Sequence, residues 1–254
     1  MRAWWILFKK ELSNNLFVIL VIALLTIAWQ VFLYYKAVSW PYGLSFGLSF
    51  LPFSFYPLVL LYMGYNAYRQ EWKDDTSYFL LSLPRYGWQI SLAKLASSMT
   101  FYILITALTI GLIYIFQHTF IRRAILDLPG NINYMELIFN IAGRMLLAYI
   151  MMGLGIYVLS QFSQLISLFY DRFRGLITVI VFILSNYLVY RAASFLAPLL
   201  GWLPDIPITN LNILAGEVNT SRIYIGSGPF AGVFIVLLAL FLLASWLLET
   251  QLEV

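Results

Sequence analysis

Six apolar runs divide this chain: Leu16–Tyr35, Leu44–Asn66, Leu95–Phe116, Leu137–Ser160, Gly175–Leu196 and Phe230–Leu248. Each is close to the ~20 residues that an α-helix needs to cross a hydrocarbon layer ~30 Å thick. The apolar positions are continuous, whereas barrel strands alternate, so the pattern predicts helices. The expected fold is an all-α integral membrane protein with six transmembrane helices, built as a single domain over residues 1–254. No internal repeat or second domain interrupts it.

Composition agrees with the pattern. The chain is 62% hydrophobic and 10% charged, against about 25% charged residues in a soluble domain. Lys and Arg collect on the cytoplasmic side of membrane proteins. With the N-terminus inside, the inner segments hold Arg2, Lys9, Lys10, Arg69, Lys73, Arg85, Lys94, Arg172 and Arg174. The outer ones hold Lys36, Arg122, Arg123, Arg191 and Arg222, and Arg144 falls within a span. The balance predicts both termini inside. The N-terminal segment is charged like a signal peptide, but its apolar run is too long and no small-residue cleavage site follows, so it is expected to be retained.

Under this topology the two long outer segments are Gln117–Glu136 and Ala197–Pro229. The second is punctuated by Pro198, Pro204, Pro207, Asn210, Asn212, Gly226, Gly228 and Pro229, residues that make turns. Asn210–Val218 between them is expected to form a short helix or a re-entrant piece.

One inner segment, Glu71–Leu95, carries six of the 26 charged residues: Glu71, Lys73, Asp74, Asp75, Arg85 and Lys94. Asp74, Asp75 and Thr76 favour a helix N-terminus. An apolar block follows, and Pro84 disfavours helix at Leu83. The result is a short cytoplasmic helix whose Tyr78, Phe79, Leu81 and Leu83 need cover. A partner's groove supplies it; lipid headgroups are the alternative.

Glu71, Thr76, the Leu80-Leu81-Ser82-Leu83-Pro84 block, Arg85 and Lys94 together resemble the ABC-2 family, the membrane subunits of ABC exporters. The resemblance extends in outline to six spans, both ends inside and a broken segment before the sixth span. At residue level it covers about 25 positions, and the crowding of Lys73, Asp74 and Asp75 and the Tyr86-Gly87-Trp88 stretch depart from it. The resemblance implies that Glu71, Thr76, Tyr78, Phe79, Leu80, Leu81, Leu83, Pro84 and Arg85 form a coupling helix. Its partner would be a separate nucleotide-binding subunit carrying ATP and Mg, since this chain holds no phosphate-loop motif. It also implies a homodimer, or a heterodimer with a second permease, in a bacterial plasma membrane.

Trp4, Trp5, Leu7, Phe8 and Leu12 fall largely on one helical face, with Lys9, Lys10 and Glu11 free to face outward. Such a helix lies in the membrane plane against lipid, with Trp at the interface. In the family a helix of this kind precedes the first span; a simple positive-inside anchor is the alternative.

Within the spans, Pro52 and Pro57 sit among Phe53, Phe55 and Tyr56. Prolines free carbonyls and kink helices, which suits a substrate path or ordinary packing. Asn186 and Tyr187 are further candidates for that path, although an interhelical hydrogen bond is the simpler role for Asn186. Arg144 either lines a cavity, with Glu136 two turns away, or snorkels to the outer headgroups.

Several classes are excluded by what is missing. There is no cysteine and one histidine, His118, so no thiolate or histidine-cluster metal site can form. Asp127, Asp171 and Asp205 lie in loops or at span ends, and no catalytic set for an intramembrane enzyme exists. No basic run alternates with exposed aromatics as in single-strand nucleic-acid binders. The expected function is a permease subunit that exports a hydrophobic or amphipathic substrate, an antimicrobial or cytolytic peptide first. The alternative is an ion-driven carrier or channel, though these usually keep carboxylates within the spans.

Overall fold

The computed structural model describes the backbone at residues 2–73, 86–126, 134–170, 172–214 and 217–250. Side chains are described at 4–41, 43–69, 72, 86–118, 140–170, 172–207 and 224–249. In chain order the elements are α1 (Arg2–Asn14), α2 (Leu16–Lys36), α3 (Tyr42–Ser49), α4 (Leu51–Lys73), α5 (Gly87–Leu126) and α6 (Tyr134–Ser167). Then come α7 (Arg174–Leu199), strands β1 (Ile206–Leu214) and β2 (Glu217–Ile225), and α8 (Gly228–Thr250).

Six stretches are long and apolar enough to cross a membrane: Leu16–Lys36, Gly43–Arg69, Gly87–His118, Asn140–Ser167, Arg174–Leu199 and Gly228–Glu249. These are the six expected spans, the signature of a multi-pass membrane protein. Helix runs further than the apolar pattern indicates. α5 begins at Gly87, eight residues before the expected Leu95. α6 continues through most of the expected inner loop Gln161–Arg174, leaving only 168–173 between it and α7. The expected outer loop Gln117–Glu136 is largely taken up by the end of α5 and the start of α6. At 40 residues, α5 is ~60 Å long, about twice the hydrocarbon thickness, so it overhangs the membrane.

The fold is not all-α. Where a short helix or a re-entrant piece was expected at Asn210–Val218, β1 and β2 pair antiparallel in continuous register from Ile206↔Ile225 to Leu214↔Glu217. Both strands are rich in Ile, Val, Thr and Tyr, which favour extended backbone, and their Asn residues are weak helix formers. Apart from the α7–α8 connection that holds this hairpin, the described residues form helices joined by short turns.

α6 sits in the middle, packed on α4, α5, α7 and α8, while α5 packs on α1, α2, α4 and α8. α2 and α7 flank the bundle, α2 against α5 and α3, α7 against α8 and α6. Tyr56, Leu60, Met63, Phe101, Tyr102 and Tyr157 form the central core. Gly153 on α6 makes this possible. A Cβ there would lie 2.6 Å from Cε1 of the Tyr102 ring and 3.0 Å from Leu60, so only glycine lets α5 and α6 meet. A second cluster, Tyr68, Ile90, Leu165, Leu168, Ala244 and Leu248, gathers α4, α5, α6 and α8 at the end where α1 lies, and Leu7 of α1 packs on it.

Candidate functional site

The α1 end of the bundle carries a buried polar node. Lys94 Nζ donates to Glu11 Oε1 at 2.9 Å, with the two side chains only 4% and 13% exposed. The same ammonium lies 5.5 Å from the centre of the Tyr68 ring, a distance at which the ring quadrupole attracts a cation. Tyr68 OH shares a 2.7 Å hydrogen bond with Ser91 Oγ and accepts one from Gln161 Nε2 at 2.8 Å. Ser91 and Lys94 are three residues apart on α5 and so share a face. The node thus joins α1, α4, α5 and α6 through Glu11, Tyr68, Ser91, Lys94 and Gln161. A lysine is almost never fully buried unless it is paired, and here Glu11 supplies the pair.

Glu11 corrects an expectation. Together with Lys9 and Lys10 it was expected to face outward. The two lysines are exposed, but Glu11 is turned inward. It lies seven residues after Trp4 and four after Leu7, hence on the same helical face. Trp4 and Phe8 are half-buried and stack, their centroids 5.7 Å apart, while Trp5 stays exposed. α1 therefore packs its apolar face on α5. The helix expected in the membrane plane is docked on the protein along this face.

This node brackets the segment read as a coupling helix. Thr76, Tyr78, Phe79, Leu80, Leu81, Leu83, Pro84 and Arg85 lie outside the described residues. Glu71 falls in the last turn of α4, and its side chain is outside the description. What is described is the root on either side: Tyr68 and Trp72 before the segment, Tyr86 to Lys94 after it. Gly87 opens α5 against the end of α8, where a Cβ would come 2.5 Å from the Ser245 carbonyl oxygen. The root is thereby held by α8 as well.

The prolines of the second span are tied down. Pro52 has no N–H for the carbonyl of Leu48, four residues earlier. Trp29 Nε1 donates to that carbonyl instead, at 3.1 Å. The chain is offset at Phe50, where the Phe53 N–H turns to the Phe50 carbonyl and leaves that of Ser49. Gln30 Nε2 donates to the Ser49 carbonyl at 2.9 Å. Pro57 frees the Phe53 carbonyl, and Tyr149 OH of α6 takes it at 2.7 Å. Neighbouring spans thus cap three freed carbonyls, as a low-dielectric interior requires. Nearby, Tyr56 OH bridges Thr26 and Thr109 at 3.0 and 2.7 Å.

The residues proposed for a substrate path do not converge. Phe53 and Tyr56 turn into the bundle, and Phe53 meets Tyr149 edge-on. Phe55 points outward, as do Asn186 and Tyr187 on α7. The buried residue at this level of α7 is Ser185, one 100° step away from Asn186. Asn186 makes no hydrogen bond to another helix among the described residues, and Tyr187 instead accepts one from Arg191 Nε at 2.9 Å. Arg144 is half-buried, four residues into the span that starts at Asn140, with no acidic partner among the described residues.

Lys94 entered the sequence reading only as an inner-side charge and as part of the family resemblance, and Ser91 and Gln161 were not singled out. The available signal was a lysine at a span mouth with serines at positions 91, 97 and 98, a polar stripe inside an apolar helix. No known protein family, curated protein or solved structure matches this chain.

Proposed function

We propose that the chain is the membrane-spanning permease subunit of an ATP-driven exporter of the ABC-2 type. A separate nucleotide-binding subunit docks on the segment between α4 and α5 from the cytoplasmic side, and both termini of this chain face that side. The observation that carries the reading is the node at the root of that segment. Four helices are locked together where the segment leaves and re-enters the bundle, so a push on it is delivered to the spans. ATP and Mg bind the partner; this chain contributes the docking helix, and its spans enclose the path of a hydrophobic or amphipathic substrate, with a peptide as the first candidate.

A second permease, identical or homologous, completes the membrane half. Asn186 supports this: an amide directed outward at mid-span is disfavoured against lipid, and a facing copy can satisfy it.

The test is purification of the tagged chain in mild detergent, with mass spectrometry of what accompanies it. The expected result is a stoichiometric ATPase subunit bearing a phosphate-loop motif. Phe79→Asp with Leu81→Asp should remove that subunit while leaving the helical circular dichroism unchanged. A chain that purifies alone from its native membrane, with its helices intact, overturns the reading.

A further inference from the structure

We infer that the Glu11–Lys94 ion pair is a register lock, which makes α1 and the root of the α4–α5 connection move as one piece. The lock itself stands on the geometry; its use in transmitting a push from an ATPase rests on the permease reading.

α1 joins α2 through the single residue Asn15, whose side-chain Nδ2 caps the Glu11 carbonyl at 3.0 Å. The rest of its half-buried face is apolar, Trp4, Leu7, Phe8 and Leu12, and Leu7 packs on the cluster of Tyr68 and Ile90. Apolar packing selects a face of α1 more strictly than it fixes a position along α5, because it is non-directional. A 2.9 Å ion pair fixes that position. The ammonium has a fixed place over the Tyr68 ring, Tyr68 is held by Ser91 and Gln161, and the carboxylate must meet the ammonium there.

Position gives the lock its consequence. Lys94 is seven residues after Gly87, where α5 begins, and Tyr68 is five residues before Lys73, the last residue of α4. Both arms of the connection therefore lie within about two helical turns of the pair. Energetics point the same way. Desolvating two charges offsets much of their attraction, so a buried pair is poor evidence of stabilisation and is best attested as a device for register or switching.

The test uses the full chain in lipid nanodiscs. Hydrogen exchange of the α1 amides reads its docking. Thermal unfolding reads stability. Spin labels on Ser13→Cys and Tyr86→Cys, both exposed sites in a chain without native cysteine, read register. Glu11→Gln is expected to speed α1 exchange by at least about tenfold and to broaden the label distance. The exchanged pair, Glu11→Lys with Lys94→Glu, should restore both. The apolar pair, Glu11→Leu with Lys94→Met, should keep wild-type thermal stability yet leave the distance broad. An apolar pair with the sharp wild-type distance, or wild-type exchange in Glu11→Gln, overturns the lock. When the ATPase subunit is captured, the apolar pair should also raise ATP turnover per substrate moved. Failure to capture any ATPase removes the permease reading but leaves the exchange and distance results to decide the lock.

Discussion

The two ends of α4 meet the same problem by different means. At its start the backbone itself is defective: Pro52, the offset at Phe50 and Pro57 free carbonyls at membrane depth. Neutral donors from α2 and α6, namely Trp29, Gln30 and Tyr149, cap them. At its finish the helix is regular, and the buried polarity belongs to side chains, centred on a charge pair. Neutral caps on backbone carbonyls have little alternative but to stay. A buried charge pair depends on both partners, since loss of either leaves the other charge uncompensated. The first region reads as a joint fixed through its backbone, and the second as one whose register is set by a charge pair.

The largest effect should come from breaking the charged end. Lys94→Met leaves Glu11 turned inward without its counter-charge, and removal of one member of a buried pair costs about 3–5 kcal/mol. Equilibrium unfolding in mild detergent measures it. A loss below ~1 kcal/mol would mean that Glu11 simply turns to water, and the contrast with the proline end would shrink to nothing.

Between the two ends lies the contact at Gly153. Gly153→Ala forces a methyl into a Tyr102 ring that is itself stacked on Tyr149 at 5.0 Å, so the ring has nowhere to go. The expected cost is about 1–3 kcal/mol by the same unfolding measurement. Gly111→Ala is the control: a Cβ there meets nothing within 4 Å, and it should be neutral or stabilising. Equal losses at both positions would show that the α5–α6 contact is looser than described.

Tyr149→Phe tests the fixed joint. It removes the hydrogen bond to the Phe53 carbonyl, and interhelical hydrogen bonds in membrane proteins are worth about 0.6 kcal/mol on average and up to about 1.7. Pro57→Ala restores an N–H to that carbonyl. In the Pro57→Ala background the Tyr149→Phe loss should therefore fall close to zero. A loss that persists there would assign the tyrosine's value to some other contact.

What could be read from the chain follows the physics of each feature. Spans are legible because ~20 apolar residues in succession have few other fates. The roots of the spans are not, because they depend on partners far apart in sequence. Lys94 looks like a loop residue until Glu11, 83 positions away, is brought to it. Glu11 was read with its lysine neighbours as solvent-facing, although its spacing from Trp4 and Leu7 placed it on the buried face. The hairpin was missed because Pro and Asn were weighed as breakers while the Ile and Val between them were not weighed as strand formers. Pro52 and Pro57 announced freed carbonyls, but which side chains would take them is tertiary information. The outward direction of Asn186 and Tyr187 likewise depends on which face α7 gives to α6 and α8.

The smallest expected effect is at the Leu48 carbonyl, and it sharpens the comparison most finely. This carbonyl already receives the N–H of Phe50 as a bifurcated cap of α3, in addition to Trp29 Nε1. Loss of the indole donor leaves it weakened rather than orphaned, so Trp29→Phe should cost less than Tyr149→Phe once packing is separated out. The separation uses Pro52→Ala, which restores an N–H to the same carbonyl. The difference between the Trp29→Phe losses in the two backgrounds isolates the hydrogen bond, and about 0.5 kcal/mol is expected. A coupling as large as that of Tyr149 with Pro57 would show that the α3 cap bond is nominal and that α2 alone holds the offset. A coupling of zero would show that α3 caps itself, leaving Gln30 on the Ser49 carbonyl as the tie between α2 and the broken span.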